Sequence, residues 1–240
     1  MPIPTLRDQR VVIIGGSSGI GFAVAEGALA EGARVVIASS TRAKVDAAVE
    51  RLGQAASGSV VDIQDEAGVV DFFDTLGDFD HLVITAGDWG GFAPAPLAQL
   101  DVAAASDGLK VRFWGALLAI KHAQARISAA GSITLTDGLM AHRPMKGLPL
   151  ATAFGGAIEH LVRALAVDLA PVRVNSVCPG LVLTERLAAW PAEMIAQITA
   201  RQPLPRAADP AEVAQAYLYL MRAGYTTGQV IVVDGGAMVV

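Results

Sequence analysis

The sequence is poorest in cysteine. Cys178 stands alone among 240 residues, and one thiol builds neither a disulfide framework nor a cysteine-based zinc site. Lysine occurs four times and no basic run is present. With a formal net charge of −5, no basic surface for nucleic acid is expected. Charged residues make up only 17% against 53% hydrophobic, which excludes a disordered chain. Gly, Pro or charge interrupts every apolar stretch before 18 residues, so no membrane span is expected. The start, Met1 to Arg10, lacks a basic segment followed by an apolar one. No secretory leader is therefore read there, and a cytoplasmic protein is the expectation.

What the chain does have is alternation. Short apolar runs occur at Val11–Ile14, Arg34–Ala38, Ser59–Val61, His81–Thr85, Ser132–Thr136, Val172–Val177 and Gln229–Val233. They are continuous rather than alternating, as strands buried on both faces require. Helix-length segments lie between them: Ile20–Glu31, Arg42–Leu52, Asp101–Ile127, Leu150–Ala170 and Pro210–Arg222. Asp209 before Pro210 reads as an N-cap. The pattern predicts a single α/β domain over 1–240, a Rossmann-type doubly wound parallel sheet of about seven strands flanked by helices. Residues 88–96 read as a loop after the fourth strand. Residues 184–205 read as a short helix between loops. Ligands of such sheets bind at loops that follow strand C-termini.

The first of these loops is Gly15-Gly16-Ser17-Ser18-Gly19-Ile20-Gly21. Its glycines permit a tight turn and let backbone N–H groups approach a pyrophosphate at a helix N-terminus, with Ser17 and Ser18 as extra donors. A glycine-rich turn without a ligand is the plainer alternative. After the second strand come Ser39, Ser40, Thr41 and Arg42, and no carboxylate appears before Asp46. An NAD site usually places Asp or Glu here, whereas hydroxyls and an arginine suit a 2′-phosphate. NADP(H) is thus preferred, with NAD(H) possible, and Arg42 as a solvated helix-start residue is the alternative.

These features resemble the short-chain dehydrogenase/reductase family along essentially the whole chain. Gly15 to Gly21 is similar to its T-G-x-x-x-G-I-G, with Ile14 in place of Thr. Asp62-Ile63 looks like the pair that contacts adenine. Ile84-Thr85-Ala86-Gly87 looks like N-N-A-G with both Asn lost. Arg173 to Gly180 is similar to R-V-N-x-V-x-P-G, and Val182 and Thr184 follow where the family reaches the nicotinamide amide. Val233-Asp234-Gly235-Gly236 resembles the family's closing strand and turn. The resemblance implies a dinucleotide site built from Gly15, Ser17, Ser18, Gly19, Ile20, Gly21, Ser39, Ser40, Arg42, Asp62, Ile63, Ala86, Gly87, Pro179, Gly180, Val182 and Thr184. It also implies a homo-oligomer, dimer or tetramer, joined through the fourth and fifth helices.

The family's Asn-Ser-Tyr-Lys tetrad is absent. In the register set by Gly156 to Leu169, its positions fall on Arg112, Gly138, Ala151 and Gly155. No register slip rescues it: the tyrosines are Tyr217, Tyr219 and Tyr225, and none has Lys four residues on. General acid–base help is worth about 10²–10⁴-fold, so its loss slows a reaction without forbidding it. Arg112 could polarise an oxygen or bind a carboxylate. Asp137, or His142 in the loop before Lys146, could move a proton. The plainer reading is an ion-paired arginine and solvated loop charges. His81, His122 and His160 read as structural or surface residues, and no metal site is expected. Trp89, Phe92, Met140 and Trp190 could line an apolar substrate pocket; Trp114 could too, or serve core or interface. The expectation is an NADP(H)-dependent oxidoreductase of a small carbonyl, imine or activated alkene with a non-standard proton-transfer group. The alternative is a degenerate dinucleotide-binding protein acting as a sensor or partner subunit.

Overall fold

The computed structural model describes residues 5–87 and 95–240; Trp89 and Phe92 lie outside the described residues. Seven parallel strands form one sheet in the order β3-β2-β1-β4-β5-β6-β7. They are β1 (Arg10–Ile14), β2 (Arg34–Ser39), β3 (Ala56–Val60), β4 (Phe79–Ile84), β5 (Ile127–Thr136), β6 (Arg173–Pro179) and β7 (Val230–Val233). Every apolar run read as a strand lies on one of them. The winding reverses between β1 and β4, where Val11 pairs His81 and Ile14 pairs Ile84. A crevice opens at such a switch point beyond the strand C-termini.

Helices α1 (Gly19–Ala30), α2 (Arg42–Leu52) and α3 (Glu66–Leu76) follow the first three strands. The segment read as one long helix over Asp101–Ile127 is broken instead. It contains α4 (Val102–Ala105), a 3-10 turn (Ser106–Leu109), a π-helical turn (Lys110–Gly115) and α5 (Ala116–Ala123), and Ile127 already belongs to β5. Gly115 marks the close approach. A Cβ there would lie 2.8 Å from Ile63 Cγ1, so the helix crosses hard against the β3 loop. π-Turns of this kind recur at functional sites.

After α6 (Pro149–Asp168) and β6 come α7 (Ala192–Thr199) and α8 (Pro210–Arg222). Asp209 caps α8 as read: its carboxylate accepts from Ala211 N–H at 2.8 Å, while Glu212 accepts from Asp209 N–H at 2.8 Å. Such a cap contributes about 1 kcal/mol. Arg173 seals the other end, donating to the carbonyls of Leu220, Met221 and Ala223. Asn175 ties the turn after it, donating to Thr226 O and accepting from Gln229 N–H. The Arg-Val-Asn segment is thus a fastening for α8 and β7.

Two cores flank the sheet. One packs α3, α5 and α6 on it through Phe72, Phe73, Ile120, Ile158 and Val162. The other packs α1 and α8 through Phe22, Val24, Val213 and Tyr217. By length and apolarity α6 could cross a membrane, with 20 residues at mean hydropathy 1.3. It is instead the crossover between β5 and β6, with Phe154, Ile158, Val162 and Leu165 buried on the sheet.

Candidate active site

The phosphate loop sits in the crevice as the glycines predict. A Cβ on Gly21 would lie 2.4 Å from the Gly15 carbonyl oxygen, and one on Gly16 would lie 2.7 Å from Ile37. Gly15 itself has φ +93, a conformation that favours glycine. Thr85, whose role the sequence did not disclose, donates its hydroxyl to the Gly15 carbonyl at 3.1 Å. It fastens the loop to β4 from a position where the family motif has Asn.

Ser17, Ser18, Gly19 and Ile20 lead into α1, and Ser18 makes no side-chain cap of its own. The N–H of Gly19 donates to the Glu185 carboxylate at 3.0 Å. An anion already stands at this helix N-terminus, in keeping with the positive end of the helix dipole. The segment from Pro179 through Gly180, Val182 and Thr184 brings it there. A Cβ on Gly180 would lie 2.8 Å from Asp234 Cα, and Thr184 Cγ2 lies 3.0 Å from where Gly19 would carry one. The loop therefore fits a diphosphate once Glu185 moves aside.

The remaining dinucleotide candidates line the same edge. Gly15 N–H donates to Ala38 O, and Val61 N–H to Ser39 O, so the β2 and β3 ends run beside the loop. Ser40 and Arg42 are exposed there, and Arg42 meets Asp46 at 3.6 Å. Asp62 is exposed and accepts from Gln64 N–H. Ile63 differs: its side chain is buried in the core against Gly115. Ala86 N–H donates to Ile14 O, and Gly87 leads toward Arg112.

Arg112 is buried at 8% exposure rather than solvated. It donates to Gly87 O at 3.0 Å and to Thr136 O at 3.2 Å, linking β4 to β5. Gly87 makes room for it: a Cβ there would lie 3.1 Å from Arg112 Cβ, and its φ of +136 suits glycine.

Asp137, at 2% exposure, directly follows β5. Its carboxyl lies beside Gly155, where a Cβ would come 2.9 Å from Asp137 Oδ1 and 2.7 Å from Ala141 Cβ. The space next to the position that the resemblance assigns to Lys is thus filled by an acid. Neither Asp137 carboxyl oxygen meets a side-chain donor among the described residues. Its neighbour is the buried carboxyl of Glu159, which the sequence reading passed over. Burial, then Glu159, pushes the Asp137 carboxyl up to about 8, against a smaller downward pull from the Gly138 N–H and Arg112. Two carboxylates this close do not both ionise, so they hold a proton between them.

His142 follows the turn Leu139–Ala141, with Nε2 2.5 Å from Glu159 Oε1. It packs against the buried Glu159 rather than standing free in solvent. Arg163 approaches the other Glu159 oxygen at 3.5 Å. Cys178 completes the group: one donor atom each from Asp137, His142, Glu159 and Cys178 lie within 4.8 Å of one another. The lone cysteine therefore joins a mixed set of metal-ligating types that spacing along the sequence did not suggest. Burial, then Asp137, drives its thiol strongly upward, so it is a neutral S–H.

Gly138 and Ala151 are buried and bring no functional group to this place. Ala151 borders an apolar cleft with Ala95, Leu97, Leu100, Leu148 and Leu150. Trp114 and Trp190 are partly exposed, at 59% and 43%; Trp114 borders a different cleft, with Ile63 and Leu118. The other histidines are structural. His81 is buried, with Nδ1 2.8 Å from Ser132 Oγ and Nε2 2.9 Å from Gln9 Oε1. His122 meets Glu66, and His160 meets the Gly156 carbonyl.

A doubly wound parallel sheet with a glycine loop at its switch point defines a Rossmann-type dinucleotide-binding fold. The chain belongs to the short-chain dehydrogenase/reductase family: the family profile described as enoyl-(acyl carrier protein) reductase matches residues 15–238. It is similar to the short-chain dehydrogenase/reductase ucsE of an Acremonium species, 37% identical over 98% of this chain and 97% of that protein. Its fold matches the MalC reductase/Diels-Alderase of Malbranchea aurantiaca with TM-score 0.89 at 32% identity, covering 98% of each chain. A small-chain dehydrogenase in complex with NADPH matches with TM-score 0.82 at 33% identity, covering 97% of this chain and all of that one.

Proposed function

We propose that this protein is an NADP(H)-dependent reductase in which Asp137 takes over proton transfer from the lost tetrad and Arg112 supports it. The observation that carries this reading is the Asp137 carboxyl in the space beside Gly155, paired with Glu159. A carboxylic acid kept neutral near pH 7 can give a proton. The dinucleotide, when bound, supplies hydride. The loop Gly15–Gly21 would hold its diphosphate, with Ala86, Gly87, Pro179, Gly180, Val182 and Thr184 toward the nicotinamide. Arg112 fixes the backbone at Gly87 and Thr136 on either side of the acid, and its charge tempers the burial of Asp137.

Among the substrate classes open to such a site, a C=N bond fits best. Protonating an imine nitrogen creates a cation that a carboxyl pair stabilises, whereas carbonyl reduction builds negative charge that tyrosine and serine would normally meet. The open Ser39–Arg42 edge, without a carboxylate before Asp46, supports NADP(H). The exposed Trp114 on the π-helical turn before α5, and Val167 on α6, support an oligomer through that face.

The test is titration with NADPH and NADH followed by a panel of cyclic imines and ketones. Imine-dependent NADPH oxidation that Asp137→Asn reduces by about 10²-fold or more supports the reading. Tight NADPH binding with no turnover across the panel supports the second reading, a dinucleotide-binding sensor or partner subunit, which the missing tetrad favours.

A further inference from the structure

Asp137 is 2% exposed, so an acid that gave up its proton there would have no direct route to recover one from water. The groups clustered beside it become more exposed from Glu159 to His142. Glu159 is buried at 5% exposure, and His142, against Glu159, has a side chain 26% exposed. We propose that His142 and Glu159 form a proton relay that carries one proton at a time from solvent to the Asp137 carboxyl. This rests on the reading of Asp137 as the proton donor.

The steps balance as proton hops. Asp137 gives its proton to the substrate and becomes a carboxylate. The His142 ring, carrying a proton on Nε2, passes it to Glu159 Oε1 over the 2.5 Å contact while Nδ1 takes one from solvent, and Glu159 hands the proton across the pair to restore the acid. A half-turn of the ring then brings the protonated nitrogen back to face Glu159. One solvent proton enters for each one delivered, and no bond between heavy atoms changes.

The surroundings bias the path. Arg112 faces Asp137 from the π-helical turn, and Arg163 faces Glu159 from one turn along α6. Both favour carboxylates and so keep the shared proton mobile rather than trapped. Cys178 on β6 is a neutral thiol beside the pair. Tyr217 on α8 bonds Thr136 at 2.7 Å and stays a neutral phenol, pushed up by its burial. Asp234 beyond β7 acts on Cys178 from further out.

The relay can be read without a substrate. Full-length protein, alone and with saturating NADP+, is jumped from pH 9.5 to pH 6 while time-resolved infrared follows the protonated-carboxyl band. The part of that band lost in Asp137→Asn reports the buried acid. His142→Phe and Glu159→Gln are expected to slow its appearance by an order of 10²-fold. The partly exposed position of His142 makes its variant the safe one if Glu159→Gln folds poorly. Unchanged protonation rates in His142→Phe overturn the relay while leaving Asp137 as the acid. A band indifferent to Asp137→Asn defeats the parent reading instead. A stoichiometric metal ion in the purified protein, found by elemental analysis, would overturn the relay by making the cluster a ligand set.

Discussion

The Glu185 carboxylate accepts the Gly19 N–H at 3.0 Å, across 166 residues of chain. The acid stands where a diphosphate would bind, and its charge opposes that ligand. Glu185→Gln is therefore expected to tighten NADPH by roughly fivefold, the scale of one charge at a helix N-terminus. Isothermal titration of both proteins measures it, and weaker binding in the variant would contradict a competing role.

Arg42 meets Asp46 at 3.6 Å on an exposed surface, with both side chains about two-thirds exposed. That pair contributes little to stability, which leaves the guanidinium available to a 2′-phosphate. Arg42→Ala should weaken NADPH by about tenfold and leave NADH within about twofold. Equal losses for the two coenzymes would show that Arg42 does not read the phosphate.

Gly155 has no room for a side chain, with Asp137 Oδ1 and Ala141 Cβ both inside 3 Å of the place a Cβ would take. Gly155→Ala should cost about 1–3 kcal/mol, as overpacking does. Urea unfolding checks this. A neutral or stabilising result would mean that the acid moves freely.

Asp137 also links stability to pH. Its folded-state affinity for a proton is raised, so its contribution is complete below about 4, where the unfolded chain also holds the proton. The contribution fades as pH climbs toward about 8. Asp137→Asn, which mimics the protonated acid, should flatten the decline between pH 5 and pH 8 in urea midpoints.

His81 works in the opposite sense. Burial, with Arg173 nearby, depresses it to about 4. The folded state thus keeps a neutral ring, whose stabilisation is present above about 6.5 and is lost as pH falls toward about 4. His81→Gln should lower stability at pH 7, because Ser132 and Gln9 lose a partner, yet show a shallower acid decline over that window. Parallel curves for both proteins would refute it.

Much of this was legible in the residues. Continuous Val and Ile runs announced buried parallel strands, and Asp209-Pro210 announced the α8 cap. The glycine loop was legible because its spacing is local. The Asp101–Ile127 helix was misjudged because a π-turn is caused by contact with Ile63, which no period in the segment reveals. Thr85, Glu159 and Glu185 were invisible for the same reason. Each acts on a residue at least 17 positions away. Arg112, Asp137 and His142 stand out in the sequence as polar groups near the missing tetrad, but their burial and pairing belong to the packed state.

The shared volume between positions 137 and 155 makes the two sites mutually exclusive. A lysine-length side chain at 155 would have to occupy the place where the 137 carboxyl now stands. Any redesign that lengthens one of them must therefore shorten the other in the same step, and single changes at either site should trade against each other rather than add.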